Sequence, residues 1–340
     1  MELQSPPFIV SATAINLIAE ISSQIERFAM RLEQADALRL RKINRVKTIH
    51  GSLTIEGNEL SEDEVLDIID GKNVIAPNQQ IIEVKNAVKT YEMYEKLNPF
   101  NEKHLLKAHG IMMNDLISEA GKYRTSNVGV FGEQGCVHLA PPANRVPILM
   151  NNLFNWLKHA KDHLLIRSCV FHYEFEFIHP FTDGNGRMGR LWQSLILGRL
   201  NPVFEHLPVE NMVYANQQKY YDAITASTNA GQSGPFIDFM LGEILATLKL
   251  HQGKEWYEHV GTNVGTNVGI NIGTTERKII NMLKQNPTMT ANELSNNICI
   301  TKRQCERLLA HLKTNGIIKR VGPNKGGRWE IIRYNPTFTP

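Results

Sequence analysis

Apolar positions recur every three to four residues through most of the first 250 residues, which predicts a chain built mainly from amphipathic helices. Over residues 11–42 that stripe carries charges on its other face, as a covering helix or a pair of helices would. Asn98-Pro99 and Asn201-Pro202 mark breaks, because a residue before proline is pushed out of the helical region. The period changes at Val128-Gly129-Val130-Phe131 and Cys136-Val137-His138-Leu139, two short runs around a glycine-rich turn ahead of Pro141-Pro142; they predict a β-hairpin. Residues 261–273 repeat a four-residue Gly-Thr-Asn-Val unit without charge. That stretch is too short for a solenoid and reads as a linker, with room for a short strand. Three helical patterns come next, at 275–285, 290–297 and 301–314, with Thr290 and Thr301 as N-caps. Gly316 closes the last of them, and residues 317–321 pair with 328–332 across Gly-Pro-Asn-Lys-Gly-Gly.

Charge divides the chain at the same place. Residues 274–340 hold twelve Lys or Arg against four Asp or Glu, a net +8, whereas residues 1–273 hold twenty-five against thirty, a net −5. A length of 340 residues supports two or three domains. Cys136, Cys169, Cys299 and Cys305 form no CxxC pair and are too sparse for a disulfide scaffold, so they read as reduced thiols of a cytoplasmic protein. No apolar run approaches the ~20 residues of a membrane span, and the apolar stretch 8–19 lacks the basic flank of a signal peptide. A membrane role is excluded on that reading. His159 and His163 share a helical face without a third ligand in view and read as solvated; His172, inside an aromatic run, reads as packed.

The chemistry concentrates in His179-Pro180-Phe181-Thr182-Asp183-Gly184-Asn185-Gly186-Arg187-Met188-Gly189-Arg190. Asp183-Gly184-Asn185-Gly186 is a turn of residues that accept positive φ, and the apolar spacing after it predicts a helix. A glycine turn feeding a helix N-terminus presents free N–H groups and the positive end of the helix dipole, which suits an anion. Arg187 and Arg190 lie three apart on one face, and guanidinium forks pair bidentately with phosphate oxygens. Asp183 suits Mg²⁺, an ion held by one or two carboxylates plus phosphate oxygens. His179, with an unperturbed pKa near ~6.5, suits a general base.

On those twelve residues the chain resembles the Fic-domain family, whose motif His-x-Phe-x-Asp/Glu-Gly-Asn-Gly-Arg-x-x-Arg is matched at every defined position. The resemblance implies a mainly α fold: a Fic-type helical core with a β-hairpin flap, plus a small C-terminal winged helix-turn-helix of α+β type. It implies transfer of AMP from ATP to a Ser, Thr or Tyr hydroxyl of a protein, the enzyme itself included, with release of pyrophosphate. Carried across by position, His179 is the base and Asp183 the Mg²⁺ ligand. Gly184, Asn185, Gly186, Arg187, Met188, Gly189 and Arg190 bind nucleotide, with Gly184 to Gly186 as the anion cradle and the two arginines on the outer phosphates. Phe181 anchors the loop, and Lys219-Tyr220-Tyr221 resembles the segment beside the adenine, with Tyr221 as its contact. The flap, residues 121–142 led by Gly121-Lys122-Tyr123-Arg124, would dock the target's backbone along Val137, His138 and Leu139 by strand addition.

Upstream, Ser52-Leu53-Thr54-Ile55-Glu56-Gly57-Asn58 resembles the family's inhibitory motif, in which the Glu takes the second motif arginine, here Arg190, from the γ-phosphate; Ser52 and Glu56 are its marks. Read without that context, the same residues are a helix C-terminus with Gly57 as its cap and Glu56 exposed. The expected domains are an inhibitory helical region at 1–95, the Fic core at 96–250, a linker at 251–273 and the winged helix at 274–340. Lys302, Arg303, Gln304 and Arg307 would lie on its recognition helix and Lys325 and Arg328 on its wing, which suits DNA, while a role in protein contact or dimerisation stays open. Two alternatives to the transferase stand beside it: a DNA-binding regulator whose Fic core senses nucleotide, and removal of AMP by the same site. Retention of His179 argues against a pure sensor, because binding phosphate needs no base.

Overall fold

In a computed structural model, residues 5–34, 37–132, 135–207, 213–250, 279–280, 282–284, 286–297, 302–314, 318–321 and 328–331 are described. The chain divides into two compact units, Met1–Trp256 and Tyr257–Pro340. The expected linker at 251–273 lies outside the described residues, as do Thr301, Gly316 and Lys325.

Among the described residues, the regular structure of the first unit is helical apart from one hairpin. Its helices are α1 (Ala12–Gln34), α2 (Ala37–Ile55), α3 (Glu62–Ile69), α4 (Asn78–Tyr91), α5 (Glu102–Met112), α6 (Val146–His159), α7 (Leu164–Ile178), α8 (Asn185–Gly198), α9 (Gln217–Ala230) and α10 (Gly234–Leu250). The amphipathic stretch at 11–42 thus falls in two helices. Ser11 begins the first: its hydroxyl accepts from the Ala14 N–H at 2.9 Å and donates to Asp238 at 2.6 Å, so the cap also fastens α1 to α10. Helix α3 opens on a capping box, in which Ser61 accepts from the Glu64 N–H and the Glu64 carboxylate accepts from the Ser61 N–H. Asn101 caps α5, and His163, expected as a solvated residue, caps α7 through Nδ1.

Helix α7 is the centre of this unit. Leu165, Cys169, Val170, Phe171, His172 and Phe175 are fully buried on it, against α6, α8 and α10. Trp192 of α8 is also fully buried and its indole donates to the Pro99 carbonyl at 3.0 Å, which ties α8 to the segment ahead of α5. The hairpin forms where the alternation placed it, from β1 (Gly129–Gly132) and β2 (Gly135–Leu139). They are antiparallel, with Gly129 opposite Leu139 and a register shift between Val130 and Phe131.

The second unit has its own core of Ile279, Ile280, Leu283, Leu294, Leu309, Leu312 and Ile318. Helices α11 (Ala291–Asn297) and α12 (Lys302–Thr314) pack together, and β3 (Ile318–Val321) pairs antiparallel with β4 (Arg328–Ile331). Thr290 caps α11 as expected, in a capping box with Glu293. Trp329 of β4 donates through its indole to the Met289 carbonyl at 3.2 Å, with the Arg320 guanidinium 5.0 Å over its ring. A helix pair followed by a two-stranded wing is the winged helix-turn-helix expected from the sequence.

Candidate functional site

The loop between α7 and α8 carries the motif, and side chains from elsewhere hold its shape. Helix α7 stops at His179, whose backbone turns left-handed (φ 49°) while its N–H still donates to the Phe175 carbonyl at 2.9 Å. Phe181 then plunges into the core, fully buried and stacked face to face on His109 of α5 at 3.6 Å between ring centres. Asn185 closes the loop on itself: its amide accepts from the Phe181 N–H and donates to the Phe181 carbonyl, both at 2.9 Å.

His109 and Arg124 do the remaining work of fixing the loop. His109 Nδ1 accepts from the Gly121 N–H at 2.9 Å, so Nε2 carries the hydrogen and donates to the Asp183 carbonyl at 3.0 Å. Burial pushes its pKa down to about 4, and the neutral ring is the form both bonds require. Arg124, 2% exposed, donates to four carbonyls: His179 at 2.7 Å, Pro141 at 2.6 Å, Ser126 at 2.9 Å and Ile178 at 3.3 Å. One guanidinium thereby joins the end of α7 to both sides of the hairpin. Sequence reasoning gave Arg124 no role beyond leading into the hairpin and missed His109. Both act through contacts far along the chain, and the only local signal is Arg124's place in Gly121-Lys122-Tyr123-Arg124.

Helix α8 begins at Gly184, whose backbone is left-handed (φ 83°). The Asp183 side chain at its mouth is 54% exposed; its Oδ1 accepts from the Gly184 N–H and from Arg187 at 3.2 Å. The Arg187 side chain is 5% exposed, and its Nε lies buried without an acceptor among the described residues. A buried, unanswered guanidinium N–H beside an open carboxylate fits a phosphate on one and a cation on the other. The side chains of Asn185 and Met188 and the open face of Gly189, three residues expected to bind nucleotide, have neighbours within the fold. Asn185 closes the loop, Met188 is in the core, and Gly189 faces Glu176 and His172 of α7. Tyr221 is 45% exposed, while its neighbour Tyr220 is buried with its hydroxyl 3.1 Å from His172 Nε2.

Helix α2 ends against Arg190. The Gly57 and Asn58 N–H groups bond back to Thr54 and Leu53, a glycine cap with Gly57 at φ 89°. The capping reading of Gly57 therefore holds, and Glu56, its side chain 30% exposed, still reaches Arg190. Arg190 Nη2 donates to Glu56 Oε1 at 2.7 Å and to the Ser52 carbonyl at 2.9 Å, and Nε donates to the Ser52 hydroxyl at 3.3 Å. A Cβ on Gly186 would collide with the Glu56 carboxylate and the Arg190 guanidinium, so that glycine makes the approach possible. Burial works against the charge on Arg190, but Glu56 and the buried hydroxyl and carboxyl of Tyr220 and Glu176 hold its pKa above the ordinary value.

A solved Fic family protein from Desulfovibrio desulfuricans G20 is 36% identical to this chain, covers 97% of it with 99% of its own length, and superposes with a TM-score of 0.69. The chain belongs to the Fic family. The Fic/DOC family model matches residues 99–197, and a model described as winged helix-turn-helix DNA-binding matches residues 273–319. The probable protein adenylyltransferase of Aquifex aeolicus (strain VF5) is 27% identical over 294 residues, 82% of each chain. The protein adenylyltransferase Fic of Aedes aegypti is 29% identical over 218 residues, which span 61% of this chain and 41% of the mosquito protein. In family terms, the structure brings His179, Asp183, Arg187 and Arg190 to one end of α8 and sets the Ser52–Glu56 motif upon the last of them. The side chains of Val137, His138, Leu139 and Arg303 lie outside the described residues. Among the described residues no three His, Cys, Asp or Glu side chains gather as a metal-holding cluster, and no helix is long and apolar enough to cross a membrane.

The neutral His109 gives a pH test of the loop's scaffold. With a folded pKa of about 4 against 6.5, His109 contributes stability that is complete above pH 6.5 and declines as pH falls toward 4, because only the unfolded chain takes the proton. Replacing His109→Gln removes that dependence, so the cost of the substitution shrinks by about 2–3 kcal/mol between neutral pH and the low end of that range. Denaturant unfolding of both proteins across the range reads the difference; a cost that stays constant with pH contradicts the neutral, doubly bonded ring.

Proposed function

We propose that the protein transfers the AMP part of ATP to a hydroxyl side chain of a protein, and that Glu56 restrains it by occupying the γ-phosphate position at Arg190. The observation that carries this reading is the three-point hold of Ser52 and Glu56 on Arg190 at the same helix terminus as His179 and Asp183. In this reading Arg187 and Arg190 hold the outer phosphates and the glycine turn of α8 receives the chain between them. The target's hydroxyl oxygen attacks the α-phosphorus, the bond to the bridging oxygen breaks, pyrophosphate leaves, and His179 accepts the hydroxyl proton. Asp183 suits Mg²⁺ as a single open carboxylate beside the phosphates, and the ion would neutralise charge on the departing group. Tyr221 offers an exposed ring on α9 for the adenine, and the hairpin offers strands along which a target segment can lie.

The brake rests on one competition: a carboxylate and a γ-phosphate cannot share one buried fork. If Glu56 leaves about 1% of molecules competent, its removal raises productive affinity roughly 100-fold, or ~2.7 kcal/mol. Label transfer from α-labelled ATP with Mg²⁺ is expected to appear in Glu56→Gly, whether onto itself or onto lysate proteins, and to vanish in Glu56→Gly/His179→Ala. Unchanged transfer in Glu56→Gly counts against the brake, and transfer that survives His179→Ala counts against the base.

The C-terminal unit supports contact with DNA as a second activity, on the winged-helix match and on Lys302 and Arg307 of α12 and Arg328 of β4, all exposed. Anisotropy of a labelled duplex should show binding that weakens as salt rises and that Lys302→Ala/Arg307→Ala weakens further. Binding indifferent to both would argue for a protein partner or a homodimer instead.

A further inference from the structure

Glu176 has no part in the reaction described above, yet it occupies a tightly constrained carboxyl position. It sits on the last turn of α7, three residues before His179, with its side chain 12% exposed. Its Oε1 is buried without a hydrogen-bond partner among the described residues. The same oxygen abuts α8 at Gly189, where a Cβ would lie 2.5 Å from it, one residue before Arg190. His172 Nε2, on the same helix, is 3.9 Å away and already faces the Tyr220 hydroxyl. His172 Nδ1 lies 2.6 Å from the Gln193 amide oxygen, and burial pushes the ring's pKa down to about 4, so it is neutral and supplies no charge.

His172 on α7 and Gly189 on α8 lie against Glu176, and Arg190 on α8, Tyr220 on α9 and Glu56 at the end of α2 act on its charge through space. Of these, only Arg190 favours an ionised Glu176, and Arg190 is shared. Two carboxylates share one buried guanidinium charge, and the buried one, Glu176, is the costlier to keep ionised while Glu56, 30% exposed, holds the direct bond. Glu56 makes the direct 2.7 Å bond. Burial pushes the Glu176 pKa up to about 8; Arg190 draws it down and Glu56 raises it again, as a competing anion should.

We propose that Glu176 is a positioning residue that answers the Arg190 charge when no other anion does, and takes up a proton whenever Glu56 or a γ-phosphate occupies the guanidinium. Release of Glu56 then leaves Arg190 balanced by an ionised Glu176 rather than bare, so the guanidinium keeps its orientation between brake and nucleotide. Arrival of the γ-phosphate at Arg190 returns the proton, from solvent to the Glu176 carboxylate. By linkage, a protonated Glu176 strengthens both the brake and nucleotide binding, and an ionised one weakens both. This inference rests on the proposed role of Arg190 as γ-phosphate holder.

Calorimetric titration of full-length Glu56→Gly with Mg-ATP and with Mg-ADP, in buffers of different ionisation enthalpy between about pH 6 and 9, measures the protons taken up per nucleotide. The expected result is uptake with ATP and none with ADP, which lacks the γ-phosphate; Glu56→Gly/Glu176→Gln, which mimics the protonated acid, then binds ATP without uptake. ATP that binds more tightly than ADP but without proton uptake overturns the role of Glu176 and leaves Arg190's intact. Uptake that persists undiminished in the Glu176→Gln protein overturns it equally. ATP bound no more tightly than ADP overturns the γ-phosphate reading of Arg190 and this inference with it.

Discussion

A guanidinium buried between three helices must be answered by an anion, and the catalytic end of this protein is arranged around that requirement. Arg190 is held in place by α8, packed from one side by α7 and capped from the other by the end of α2. Leaving its charge unpaired would cost several kcal/mol. The Glu56 carboxylate reaches it from the glycine-capped end of α2, across the space that Gly186 leaves open. Under the proposed function, the same constraint makes the site an anion receptor once Glu56 is withdrawn. Inhibition and substrate recognition are, in that reading, one electrostatic demand met by different partners.

The rest of the site is a matter of holding a loop still. His179 occupies a left-handed position at the end of α7, where its backbone carbonyl is gripped by Arg124. The Phe181–His109 stack and the Asn185 clamp fix the path of the chain from His179 into the first turn of α8. The motif's side chains stand on a framework of such contacts. Precise placement of catalytic groups depends on such supporting contacts.

Much of this was legible in the sequence because the motif is local. His179 to Arg190 span twelve residues, and their order alone implied a turn, a helix terminus and paired guanidinium groups. The hairpin was legible in its change of period, and the winged helix in a charge boundary with capped helices behind it. The side chain of Asn185 clamps the loop, a role not legible in a glycine-rich turn, whose expected anion cradle is made of backbone N–H groups. Arg124, His109 and Glu176 were not legible as site residues. Each acts across the fold, His109 on partners 12 and 74 positions away, the Arg124 guanidinium on carbonyls as far as 55 positions away and Glu176 on a neighbouring helix, and one sequence carries no record of such pairings. Read alone, the Ser52–Asn58 stretch equally describes a helix end; the structure shows that it is both a helix end and a hand on Arg190.

The central claim, that Glu56 and a γ-phosphate compete for Arg190, is tested most directly by the ratio of ATP to ADP affinity in the wild-type protein and in Glu56→Gly. The account predicts that wild type binds the two nucleotides about equally, since its γ-phosphate site is filled, and that the variant prefers ATP by roughly one to two orders of magnitude. A wild-type protein that already prefers ATP as strongly as the variant does would contradict it.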